Sequence, residues 1–156
     1  MKTNNPSSAS ECFSYALKIL NRGAQTEKKM CDRLIKRGYD AEVANSTLVK
    51  LKELKLIDDF KYARDYIAYR SRSTPLGSRY LKFKLIQRGI LPQIVEDSLS
   101  DLSSDSEYEN ALSVARKKLS LLSRYDAVKQ KEKIYRFLAS RGFNQDVIYK
   151  VLKELF

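Results

Sequence analysis

The side chains best equipped to act on another molecule are cations, and they come in runs. From Lys61 to Arg88 stand eight basic residues, Lys61, Arg64, Arg70, Arg72, Arg79, Lys82, Lys84 and Arg88, against Asp65 alone. From Arg116 to Arg141 there are nine against Asp126 and Glu132, while residues 89–115 hold six acids and no Lys or Arg. The 156 residues carry 30 basic and 19 acidic side chains, a formal charge of +11. Clustered positive charge attracts polyanions, with affinity that falls steeply as salt rises. Nucleic acid, or a nucleoprotein that displays phosphate and acidic protein together, is the partner this suits; a merely solvated face is the plain alternative. Tyr62, Tyr66 and Tyr69 recur at i, i+4, i+7 among Arg64, Arg70 and Arg72. Rings set between arginines can stack single-stranded bases, but packing against neighbouring helices is the reading the pattern favours.

Other chemistry has little to work with. The chain has no histidine, which removes the commonest general base and metal ligand. Cys12 and Cys31, 19 residues apart, make neither a zinc pattern nor a disulfide framework, and reduced thiols buried on helices are expected. Neither glycine-rich phosphate cradle occurs. Asp58 and Asp59 are adjacent, and neighbours on a helix point about 100° apart, so Asp58 reads as a helix cap rather than a metal ligand. No enzymatic activity, cofactor or metal is expected.

The cations must be held by helices, because the chain punctuates itself as helices do. A Leu-x-x-Arg-Gly-hydrophobic phrase occurs three times, at "LIKRGY" (34–39), "LIQRGI" (85–90) and "LASRGF" (138–143). The glycines Gly38, Gly89 and Gly142 lie 51 and 53 residues apart. Glycine just past a helix end takes the left-handed conformation, and the next residue folds back on the side chain five positions earlier. Those pairs are Leu34 with Tyr39, Leu85 with Ile90 and Leu138 with Phe143, all apolar. Arg37, Arg88 and Arg141 put a cation at the negative end of each helix dipole. A new helix is signalled after each stop by Asp40, Pro92 and Asn144.

Apolar residues then repeat in register at Val43, Leu48, Leu51; Ile94, Leu99, Leu102; and Val147, Leu152, Leu155. A longer first helix precedes each pair, with stripes at Phe13, Leu17, Leu20; Phe60, Ala63, Ile67; and Ala111, Val114, Ala115, Leu119. The prediction is an all-α chain of three tandem, helix–turn–helix-like three-helix repeats, stacked into an elongated, curved body whose core runs from unit to unit. The boundaries are a disordered N-terminus at 1–10 and repeats at 11–57, 58–103 and 104–156. The joint "SDLSSDSEYE" reads as a candidate hinge. No secretion signal or membrane-length apolar run is seen.

The stretches "ALKILNRGAQTEKKMCDRLIKRGYD", "LKELKLIDDFKYARDYIAYR" and "LGSRYLKFKLIQRGI" resemble the bacterial RecX regulatory proteins, modulators of the RecA recombinase. The likeness rests on Ala16-Leu17, Arg37-Gly38-Tyr39, Ile57-Asp58-Asp59 with Tyr62-Ala63, and Gly77 with Arg88-Gly89-Ile90. It covers residues 15–100 well and the third unit more loosely. One departure stands out: the family often opens the second helix with Ser-x-x-Glu, whereas Thr26 is followed by Lys29, so half of the capping box is missing.

The resemblance implies a cytoplasmic regulator that binds RecA and its filament on single-stranded DNA; a monomer is the default expectation for its oligomeric state. It implies inhibition of recombinase, ATPase and coprotease activity by blocked filament growth or promoted disassembly, hence a role in homologous recombination, DNA repair and the SOS response. The contact surface expected on that basis is Arg64, Arg70, Arg72, Arg79, Lys82, Lys84 and Arg88, with a second patch at Lys117, Lys118, Lys129, Lys133 and Arg136. Weak binding of single- or double-stranded DNA is a further expectation. The alternative is a direct DNA-binding helix–turn–helix protein. Its third helices, opening Asp40-Ala41-Glu42, Leu91-Pro92-Gln93 and Asn144-Gln145-Asp146, are poorly suited to reading bases.

Overall fold

A computed structural model describes residues 9–156. Among them every regular element is a helix: α1 (Ala9–Leu20), α2 (Glu27–Arg37), α3 (Ala41–Glu53), α4 (Asp59–Ser73), α5 (Ser78–Gln87), α6 (Pro92–Ser100), α7 (Ser104–Ser120), α8 (Ala127–Ser140) and α9 (Gln145–Leu155). The expected disorder at 1–10 falls mainly on residues 1–8, outside the described residues; Ala9 and Ser10 already belong to α1. The candidate hinge is largely helical as well, since α7 starts at Ser104 behind an N-cap, Ser103, that accepts from the Ser106 N–H (3.1 Å). Only residues 101–103 lie outside helix there.

All three glycine stops close as their spacing requires. Tyr39 N–H donates to Leu34 O (3.2 Å), Ile90 N–H to Leu85 O (3.3 Å) and Phe143 N–H to Leu138 O (3.3 Å). Each glycine has a positive φ, 103° at Gly38, 82° at Gly89 and 77° at Gly142. Thr26 and Asp58 cap α2 and α4 through side-chain oxygens (3.3 and 2.9 Å), whereas Asp40 and Asn144 stand at N-caps without a side-chain cap bond. A fourth stop of the same hydrogen-bonding pattern ends α3 without glycine. Leu56 N–H reaches Leu51 O (2.8 Å), and Lys55 takes the left-handed position at φ 55°.

Within each unit the first and third helices lie along one another and the second packs on the third; in the first and third units it touches the first helix as well. The buried stripe of α1 is Cys12, Ala16 and Ile19, with the expected Phe13, Leu17 and Leu20 at its half-buried edge. In α4 Ala63 and Ile67 are buried but Phe60 is exposed. The core does not run from unit to unit. Three separate clusters form, centred on Leu34 and Leu51, on Leu81 and Ile90, and on Leu138 and Phe143.

The units meet instead through helix ends, whose free N–H and C=O groups need partners. At the first joint the Thr26 hydroxyl donates to Arg88 O (2.7 Å) and the Glu27 N–H donates to the Asp59 carboxylate (2.9 Å). At the second, Gly77 N–H donates to Arg141 O (2.9 Å) and Ser78 N–H to the Glu107 carboxylate (2.9 Å). The joints correspond residue for residue. Arg88 and Arg141 precede the stop glycines, and Asp59 and Glu107 each stand four residues before a buried alanine, Ala63 and Ala111. The start of one unit's second helix is thus completed by the next unit's helix stop and carboxylate.

Candidate functional site

The joints also gather the cations. At the first, Arg70 from α4, Lys84 from α5 and Arg88 at the C-cap of α5 line a cleft of about 540 Å³ together with Lys29 of α2, Gln87 and two tyrosines, Tyr66 and Tyr69. No carboxylate lines it. The Arg88 guanidinium lies over the Tyr66 ring, 4.3 Å from its centroid. Arg70 Nε and Arg88 Nη1 are buried without a hydrogen-bond acceptor. The ring of Tyr66 packs against the unit's core, as packing predicts, but Tyr69 is 60% exposed.

A second cleft, of about 390 Å³, opens at the other joint. Lys117 and Lys118 of α7 face Phe137 of α8 and Arg141 at its C-cap, and the segment Ser73-Thr74-Pro75 forms its far wall. Arg141 lies 4.7 Å from the centre of the Phe137 ring and Lys118 5.6 Å from it. Arg141 also donates to Pro75 O (3.3 Å), which fixes the guanidinium across the joint. Again no acid lines the wall.

The remaining residues of the expected contact surface are differently placed. Arg64 is paired with Asp101 (3.4 Å), Lys82 with Glu96, Lys129 with Asp126 (3.4 Å) and Arg136 with Glu132 (2.5 Å). These are exposed pairs, individually worth little stability, but each locally cancels the charge of its cation. Lys133 lies 4.5 Å from the centre of the Tyr125 ring, and Arg72 and Arg79 are exposed. Five of the twelve, Arg70, Lys84, Arg88, Lys117 and Lys118, therefore converge on the clefts.

Two residues outside the expected set join them, Lys29 and Arg141. The sign of Lys29 was its misfit: it stands where a capping box would have glutamate, and its backbone N–H is capped by Thr26 while its side chain reaches the cleft. Among the described residues no group of three or more His, Cys, Asp or Glu could hold a metal ion, and no helix is long and apolar enough to cross a membrane.

Comparison with known proteins gives one consistent likeness. Residues 12–51, 58–99 and 105–152 match the models of the first, second and third three-helix domains of RecX. The chain is 35% identical to a "Regulatory protein RecX" of Clostridium botulinum (strain Alaska E43 / Type E3), over 92% of this chain and 68% of that one. To the protein of the same name from Chlorobium phaeobacteroides (strain BS1) it is 34% identical, over 94% of both. The crystal structure of RecX from Lactobacillus salivarius matches with a TM-score of 0.89 at 26% identity, over 94% of this chain and 96% of that one.

Proposed function

This chain belongs to the RecX family of regulatory proteins, and from that we propose that it regulates a RecA recombinase by binding the filament RecA forms on single-stranded DNA. The reading is inhibitory. Lodged in the groove of the filament, the protein blocks growth or promotes disassembly, and so lowers strand exchange, ATP hydrolysis and RecA-stimulated repressor cleavage. It works as a monomer in the cytoplasm, where RecA acts, and by binding alone, without catalysis of its own.

The observation that carries the reading is the concentration of uncompensated cations on α4, α5, α7 and α8 in a chain that matches all three RecX domains. A filament of protein on DNA presents acidic side chains and phosphates, and the two inter-unit clefts present cations to meet them. Direct base reading by the helix–turn–helix units is less well supported. The first turns of α3 and α9 carry Glu42 and Asp146, which a base-reading helix would hold against phosphates.

The test adds the purified protein to preformed RecA filaments on single-stranded DNA and follows ATP hydrolysis. Inhibition well below one protein per RecA supports blocked growth at filament ends. No inhibition at an equimolar ratio overturns the regulator reading.

A further inference from the structure

The two basic clefts are one device built twice. Counted back from the stop glycines, Arg88 corresponds to Arg141 and Lys84 to Phe137. Counted from the buried alanines, Tyr66, Tyr69 and Arg70 correspond to Val114, Lys117 and Lys118. In each cleft the first helix of one unit and the end of its second supply cations, and the preceding unit closes the wall near the start of its own second helix, in the first cleft adding Lys29. A cleft therefore exists only where two units dock. The cations in them have no ion-pair partner among the described residues, unlike Arg64, Lys82, Lys129 and Arg136 nearby. Like charges left together repel, and a buried guanidinium N–H without an acceptor loses its hydration for nothing. Arg70 Nε and Arg88 Nη1 are in that state.

We infer that each inter-unit cleft binds a phosphate group, and that the two together hold consecutive stretches of one single-stranded nucleic-acid backbone. A phosphate accepts from several donors at once and matches the fork of an arginine. Two equivalent clefts one unit apart call for a ligand that carries its anions in series. An aromatic face accompanies the cations in each, Tyr69 in the first and Phe137 in the second, where unstacked bases can lie. A duplex keeps its bases stacked inside and would leave those rings idle. This inference goes beyond the regulator reading, since it needs no recombinase.

The test uses the whole protein alone, with fluorescein-labelled oligothymidylate and anisotropy as the readout. Arg70→Gln with Lys84→Gln removes charge from the first cleft, and Lys117→Gln with Lys118→Gln from the second. Lys18→Gln with Lys36→Gln removes the same charge from exposed positions of the first unit. Circular dichroism confirms that each variant keeps its helices, and Lys84→Arg, which retains the charge, is expected to retain binding. Each cleft pair is expected to weaken binding roughly tenfold and to flatten its salt dependence by about two counterions, with the control pair within about twofold of the parent.

Equal losses in the control and cleft pairs would overturn the inference in favour of diffuse charge. So would displacement of the oligonucleotide by poly-glutamate at matched charge, which would make the clefts carboxylate sites, or tighter binding of a duplex of the same length. Because RecA is absent, a negative result here leaves the ATP-hydrolysis test of the regulator reading untouched.

Discussion

At the scale of the residue, Lys55 and Asp59 each sit in a conformation or environment that costs energy. Lys55 holds the left-handed position that glycine holds at the other stops, at a cost to any side chain of about 1–2 kcal/mol. Lys55→Gly is expected to raise stability by roughly 0.5–1 kcal/mol in urea unfolding, part of the gain being offset by the freer unfolded chain. Asp59 is half-buried at the first joint. Burial pushes its carboxyl above the usual carboxylate range, Glu27 and Asp58 add to the rise, and the bond from the Glu27 N–H and the charge of Lys52 oppose it. A carboxyl raised in the folded state favours folding below its ordinary value, and that contribution is lost as pH rises through the raised one. Asp59→Asn keeps an oxygen for the Glu27 N–H and removes the charge. Its stability relative to the parent is therefore expected to improve as pH rises across the carboxylate range, and urea midpoints measured along that range check the direction.

At the scale of the element, the three glycine stops look alike in sequence but bear different loads. A Cβ at Gly38 would meet nothing within 4 Å, whereas at Gly142 it would lie 2.5 Å from the backbone nitrogen of Tyr80 in the unit before. Gly38→Ala is expected to cost only the left-handed strain, about 1 kcal/mol. Gly142→Ala adds a further roughly 1–3 kcal/mol of steric conflict at the joint, so its melting temperature falls further; equal losses would mean that the joint yields freely. The stops themselves were legible because glycine announces a positive φ, as were the caps at Thr26 and Asp58. The stop at Lys55 was not, because lysine carries no such sign. Nor were the joints: Thr26 and Arg88 are 62 residues apart, and neither residue type names the other. Separation in sequence also hid the cancelling of some cations, as with Arg64 by Asp101.

At the scale of the whole molecule, three units in a row are what the repeats promised, and separate cores joined by polar ends are what they did not. An apolar stripe shows which face is buried but not whether neighbouring stripes merge. Replacing Arg70, Arg72, Lys82 and Lys84 together by Glu reverses the face of the second unit. It is expected to abolish inhibition of RecA ATP hydrolysis at physiological salt with helicity unchanged, and inhibition that survives would put the contact surface elsewhere. The second helix of the third unit, like that of the first, carries a side-chain cap: Asp126 accepts from the Lys129 N–H (2.9 Å), and that bond is the main reason its carboxyl lies below the usual range.

Joining units by a handful of directional bonds has a mechanical consequence. Tilting one unit against the next strains the two hydrogen bonds of the first joint or the five of the second and opens no shared apolar cluster, whereas prising helices apart inside a unit floods its own core. Bending stiffness is therefore low at two defined points and high everywhere between. Such a chain behaves as three rigid links with two compliant pivots, and because each basic cleft straddles a pivot, whatever anion lies in it also locks the angle.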